Sequence, residues 1–310
     1  MGRDIIFQQT QDITGMNAVK RISLYVVATV ALTLISQVAF GWGFWAHRNI
    51  NKAAVTLLPE PLEHFYQEHA DYVIEHSVDP DMRRGEWKNE GNYHYMDLDD
   101  YGSYPNFNVP HTYEEAVKKY GEQAVVKDGM VPWRVGLDVD SLTSAMKAHD
   151  VPLVLHLSAD LGHYVADMHV PLHATKNYDG QFTGNIGVHF RWETGVPEHF
   201  GKDYSFTGID SAYYIKDPVG HALKILTHSY SLLDKVFRAD SLAKLGIPKD
   251  SLYKIETKNG RREYIYSDEY YKKFNTELNG MVESQMRAAT RAVASYWYTA
   301  WVNAGKPKFW

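Results

Sequence analysis

The sequence predicts an all-α protein, a single-domain helical bundle. Three observations carry that reading. Apolar residues recur at spacings of three and four along most of the chain. The alternation of strand and helix that builds a parallel sheet is absent. No repeat, low-complexity tract or linker interrupts the run after residue 41. With 310 residues, 45% of them hydrophobic, and 22 Tyr, 12 Phe and 8 Trp, the chain has material for a sizeable core.

Residues 1–15 are polar and unpatterned. Met16, Lys20-Arg21 and an apolar run from Ile22 to Phe40 then read as an export signal. Ala39 and Gly41 are the small residues that a cut before Trp42 requires. The predicted limits are therefore 1–41 for an N-terminal extension with signal peptide and 42–310 for the body. The body is expected to be exported, periplasmic or extracellular. The apolar run is long for a signal, and an uncleaved membrane anchor is the alternative. Removing 1–41 deletes three basic and two acidic side chains and moves the formal charge from −6 to −7. That balance excludes nucleic-acid binding through a broad basic surface.

Helices are predicted over 45–58, 61–77, 112–124, 140–149, 151–170, 217–239 and 267–304. Polar, Gly-containing loops fill 78–110 and 174–188. Alternating Tyr, Ile and charge over 250–266 read as a short hairpin. In the last helix Met281, Ala288, Ala292 and Tyr296 fall near one face, with Trp297 and Trp301 a turn apart, as in a core helix without chemistry.

The helix over 151–170 carries more. Val154, Leu157, Leu161, Tyr164 and Met168 form an apolar seam, and His156, Asp160, His163 and Asp167 run beside it. Burying such groups without partners is costly, and a metal or a chain of hydrogen bonds removes the cost. The chain has no Cys, so disulfides, thiolate ligands and a Cys nucleophile are excluded. Any transition-metal site must use its 15 His and its carboxylates, a donor set that suits zinc.

Four clusters offer such donors. His163 and Asp167 stand one turn apart, Pro171 ends the helix, and His173 follows. His189 and Glu193 are again four apart in GVHFRWE, a pair that alone reads as a surface helix. In Trp42-Gly-Phe-Trp-Ala-His47 a freed α-amine and carbonyl of Trp42 can chelate one ion that His47 completes; otherwise Trp42 and Trp45 simply anchor the first helix. Asp79 in SVDPD precedes His94 in NYHYMD, but loop spacing is uninformative and Asp81 competes with Asp79.

Together these clusters resemble the superfamily of bacterial zinc-dependent phospholipase C and the single-strand-specific zinc nucleases of fungi and plants. Trp42, His47, Asp79, His94, His163, Asp167, His173, His189 and Glu193 match its ligand positions in order, over Trp42 to Glu193. The resemblance implies an all-α fold with a zinc cluster in a cleft between helices. It implies three zinc ions: one on Asp79, His94, His163 and Asp167; one on Trp42, His47 and the bridging Asp167; one on His173, His189 and Glu193. It further implies phosphodiester hydrolysis by a zinc-bridging hydroxide, with Asp167, Asp79 and Asp97 as catalytic carboxylates and Tyr95 and Asp97 lining the substrate pocket. Zinc lowers the pKa of its water, so no Ser or Cys nucleophile is needed. Asp160 is a candidate for orienting a ligand His, or an ordinary helix carboxylate; His169 lies one residue out of phase with the ligands.

The motifs divide over the substrate. The Trp42–His47 gap and the Asp79–His94 spacing resemble the nucleases. Glu193 in place of Asp and the short His173–His189 connection resemble phospholipase C, and the disulfides of the fungal nucleases are impossible here. The reading leans to cleavage of single-stranded nucleic acid, with phospholipid headgroups as the alternative substrate and a non-catalytic zinc protein as the second alternative. No stable protein partner is implied; transient membrane contact fits the phospholipase reading.

Overall fold

The computed structural model describes residues 42–258 and 261–309, and the predicted signal segment lies outside the described residues. The protein is mostly helical. Helix α1 spans Phe44–Val55. The stretch predicted as one helix over 61–77 breaks into α2 (Leu62–Glu68), α3 (Ala70–Glu75) and a tight 3₁₀ turn at His76–Val78. Helix α4 (Asp79–Met82) opens the predicted loop 78–110, which also contains two 3₁₀ turns and a small hairpin, β1 (Gly102–Ser103) with β2 (Asn106–Phe107).

Helix α5 (Tyr113–Tyr120) starts at a reciprocal Thr112–Glu115 capping box and stops at Gly121, whose φ of 84° ends it; α6 (Glu122–Lys127) resumes beyond. Helix α7 runs Val131–Ala148, nine residues longer at its start than predicted. Pro132 lies in its first turn, where a missing N–H costs nothing, so it opens the helix instead of barring it. Helix α8 (Val151–Asp167) starts at Asp150, whose carboxylate accepts from the Leu153 N–H. After α9 (Val188–Phe190), a wider π turn over Arg191–Gly195 and α10 (Val196–Phe200), the predicted helix 217–239 appears as α11 (Pro218–Ser231) and α12 (Leu233–Lys244). The predicted hairpin is present as antiparallel β3 (Tyr253–Lys258) and β4 (Arg261–Tyr266). The predicted helix 267–304 is two helices, α13 (Asp268–Leu278) and α14 (Met281–Asn303), parted by Asn279 and Gly280 in the left-handed region. Among the described residues no helix is long and apolar enough to cross a membrane.

Helix α8 is the axis of the bundle. Every residue from Ser158 to Asp167 is buried, because α7, α14, α1 and α3 pack around it. An aromatic pair braces it: Tyr66 and Trp297 stack at 4.8 Å, the indole donates to the Ser158 carbonyl, and the Tyr66 hydroxyl meets the Ser158 hydroxyl at 2.7 Å. Asp160 takes both guanidinium arms of Arg83, which also bonds the Tyr164 hydroxyl, so it ties α4 to α8 and orients no ligand His. Ala288, predicted for the core face of the last helix, is exposed.

Close approach of α1 to α8 depends on Gly162. A Cβ there would lie 2.0 Å from Oδ1 of buried Asn51, whose amide nitrogen is already engaged by the His47 carbonyl. Gly to Ala inside a helix ordinarily gains about 1 kcal/mol. Here the sign reverses: Gly162→Ala should destabilise the fold by about 1–3 kcal/mol through overpacking, read as a lower midpoint in thermal or urea denaturation.

Candidate metal centre

The fold gathers imidazoles and carboxylates around the C-terminal end of α8. His163 and Asp167 share one face a turn apart, and both are fully buried. The Nδ1–H of His163 points to the Ser77 carbonyl at 2.8 Å, which leaves Nε2 facing inward as the atom that would ligate once its proton is lost. From α1, His47 stacks on His163 with ring centres 3.9 Å apart and 12° between planes. His94 follows the 3₁₀ turn at Glu90–Tyr93 and enters edge-on to His163. His173 arrives on the turn that Pro171 opens, and the Met96 N–H donates to its carbonyl, joining the His94 and His173 stretches.

The two oxygens of Asp167 face different neighbours. Oδ1 lies 3.3 Å from His47 Nε2; Oδ2 lies 2.8 Å from His94 Nδ1, 3.2 Å from His163 Nε2 and 3.9 Å from His173 Nδ1. His163 Nε2 and His94 Nδ1 stand 3.0 Å apart. In a second group His189 Nε2 is 2.9 Å and His173 Nε2 3.5 Å from Glu193 Oε2, neither with hydrogen-bond alignment. Ligands held at 2.0–2.1 Å in a tetrahedron are separated by about 3.3 Å. Separations of 2.8–3.9 Å therefore match the edges of such a shell.

Many of these buried atoms have no hydrogen bond: both nitrogens of His47, His94 Nε2, Asp167 Oδ1, His173 Nδ1, both nitrogens of His189 and both oxygens of Glu193. Left so, each is costly. Three groups are each able to hold a divalent ion: His47, His163 and Asp167; Asp81, His94 and His163; His173, His189 and Glu193. All-nitrogen-and-oxygen sets of this kind are compatible with zinc.

No known family model matches the chain, and no curated protein matches it.

The structure corrects one expected ligand. Asp79 is not in the centre; its carboxylate sits at the surface, 2.7 Å from His76 Nδ1. Asp81 takes the place, with Oδ1 3.6 Å from His94 Nδ1 and 3.9 Å from His163 Nε2. Both aspartates lie on the helical turn α4, where residues two apart point away from each other, so only one can face α8. Trp42 is fully buried, with its indole donating to the Ala166 carbonyl and its ring against Trp192 at 4.9 Å. The Gly43 N–H meets the Glu193 carbonyl at 3.3 Å, placing this stretch beside the third group. Tyr95 hydrogen-bonds the Lys127 carbonyl through its hydroxyl, away from the imidazoles. Asp97 is held up to about 7 by burial and by the carboxylates of Asp99, Asp100 and Asp128. His169 turns its Nδ1 to the Val165 carbonyl and joins none of the three groups.

Sequence reasoning missed the device that shapes the His189–Glu193 turn. Arg191, buried between them, pairs with Asp240 at 2.7 Å and reaches the Asn185 and Ile186 carbonyls. The widened π turn this anchors gives His189 and Glu193 their common direction. A buried Arg in GVHFRWE carries no periodic signal, and its partner lies 49 residues away.

Burial pulls the protonation states of the metal-free centre apart. It lowers His47 and takes His189 down to about 4, while it raises Glu193 to about 8. It also opposes charge on His163, but Asp167 and Asp81 outweigh it and lift that ring to about 9. Asp167 stays ionised against its burial because His163 and His173 face it.

Two outcomes follow. Asp81→Asn should lower bound metal by about one equivalent in elemental analysis, whereas Asp79→Asn should leave it unchanged. At pH 7 Glu193 and His163 lie below their folded pKa values and carry protons, so metal loading should release about two protons, measured by calorimetry in buffers of different ionisation enthalpy.

Proposed function

We propose that the chain is an exported zinc-dependent phosphodiester hydrolase of the phospholipase C and single-strand nuclease superfamily, acting on single-stranded nucleic acid. One observation carries the proposal: Asp167 turns its two oxygens to different imidazoles drawn from α1, the His94 turn and α8. A carboxylate so placed is suited to bridge two ions, and His173, His189 and Glu193 supply a separate three-donor site with ligand positions to spare.

Asp167, His47, His163, His94 and Asp81 would hold two ions, with Trp42 completing one of them once its α-amine is free. His173, His189 and Glu193 would hold the third. Zinc supplies Lewis acidity and a water whose pKa falls toward about 7. The protein's own groups do the remainder. Ser77 fixes the tautomer of His163. Burial keeps His47 and His189 neutral and able to coordinate. His173 and His189, each 5% exposed, are the outermost ligand imidazoles, so substrate is met on their side. With a pKa of about 7, the Asp97 carboxyl could give or accept a hydrogen bond in the substrate pocket that the resemblance implies.

A specific observation keeps the phospholipase alternative beside the nuclease reading. Tyr178, Phe182 and Ile186 are 51%, 70% and 65% exposed on the loop beside His189, and Tyr178 meets that ring edge-on at 6.2 Å. Aromatic and aliphatic tips next to a hydrolytic centre suit a lipid surface as well as stacked bases.

Zinc-loaded protein, with its N-terminus defined by mass spectrometry, is to be incubated with single-stranded DNA or RNA and separately with phosphatidylcholine vesicles. Release of nucleotides is expected. Release of phosphocholine instead transfers the proposal to lipid, and cleavage of neither by protein containing three zinc ions would leave a non-catalytic zinc protein. Asp167→Asn should lose metal and lower hydrolysis by more than about a hundredfold, since groups that merely support a metal ligand already cost 10–100-fold.

A further inference from the structure

Helices α11 and α14, with the segment 208–213 between them, line a solvent-open cavity of about 530 Å³ separate from the three donor groups. Its lining is rich in cationic groups: Lys224, Arg287 and Arg291, with His221 and His228, against one carboxylate, Asp210. Arg291 answers that carboxylate at 3.2 Å and lies over the Tyr213 ring at 5.0 Å. Arg287 ties one guanidinium nitrogen to the Ser205 and Thr207 carbonyls, which holds the fork at the cavity wall. The Lys224 ammonium makes no hydrogen bond or close ion pair among the described residues, and a carboxylate outside the lining, Asp217, feels its charge. One carboxylate is thus set against three permanent cations, an imbalance that two negative charges would remove.

His169 adds a second, independent observation. It is 4% exposed and lines the same cavity. Its Nδ1–H donates to the Val165 carbonyl at 2.9 Å, so Nε2 keeps its lone pair and is placed to accept from a hydroxyl, that of hydrogen phosphate or of an ester group. His221 is hydrogen-bonded through both nitrogens, to Tyr213 at 2.6 Å and Tyr296 at 3.2 Å, and forms a fixed wall.

We propose that this cavity binds inorganic phosphate or a phosphomonoester, with Lys224, Arg287 and Arg291 around its charge and His169 at its buried end. Arginine forks and an ammonium together match a multi-oxygen dianion better than a single carboxylate, which one fork satisfies. The volume exceeds that of the bare anion and leaves room for an ester group against Ile209, Ile225 and Ala292. No ligand of the metal centre lines the cavity, so this inference stands apart from the proposed hydrolytic activity.

The test is calorimetric titration of the full metal-loaded chain with inorganic phosphate and with glycerol 3-phosphate at fixed ionic strength. Lys224→Glu, an exposed position on α11, should weaken one binding event about tenfold or more while metal content stays at the wild-type value. Lys224→Ala should weaken the same event to a smaller extent. Tighter binding of glycerol 3-phosphate assigns a phosphomonoester, and equal binding assigns the free anion. Titrations that both substitutions leave unchanged, or an absence of phosphate binding, would overturn the proposal.

Discussion

The structure depends on a buried negative charge. Asp167 lies at the end of a helix that is buried throughout from Ser158 onward, and a lone carboxylate there would be prohibitively costly. Its ionisation is secured by His163 and His173, and its two oxygens set the directions in which His47 and His94 must come. Much of the surrounding architecture serves that arrangement. Gly162 lets α1 come close, Ser77 turns one imidazole inward, and the Met96–His173 hydrogen bond binds two ligand-bearing stretches together.

Much of this was legible in the sequence because helices write their faces at fixed spacing. His163 and Asp167, and likewise His189 and Glu193, are pairs four apart, and both pairs converge as that spacing requires. The all-helical character followed from the same periodicity. What escaped were features without period. Asp79 and Asp81 are indistinguishable in a stretch read as a loop; only the short helix α4, unpredicted, decides which one turns inward. The predicted helix 140–149 missed the first nine residues of α7, whose start is set by Pro132 in its first turn. Asn279-Gly280 and Gly121 adopt left-handed backbone that breaks helices whose apolar spacing runs on across the break.

Two polar networks hold the centre from outside. On one side Arg83 gathers Asp160, Tyr164 and Glu90, and Glu90 lies 3.9 Å from His94 Nε2. On the other Arg191 gathers Asp240, Tyr270 and the 185–186 carbonyls beneath His189. Each is a buried arginine with its donors largely satisfied, which makes the pair sources of rigidity more than of net stability. Three donor groups able to hold a cation would need this, because imidazoles free to swing would lose their shared direction.

The contact between Gly43 and Glu193 joins stretches far apart in the chain. Donors that span positions 47 to 193 close on each other across that junction, and α14 braces both α1 and α8. The donor geometry is therefore a property of tertiary packing and of no single segment. A polypeptide lacking α14 would carry every donor residue and lack the clamp that aims them at one another.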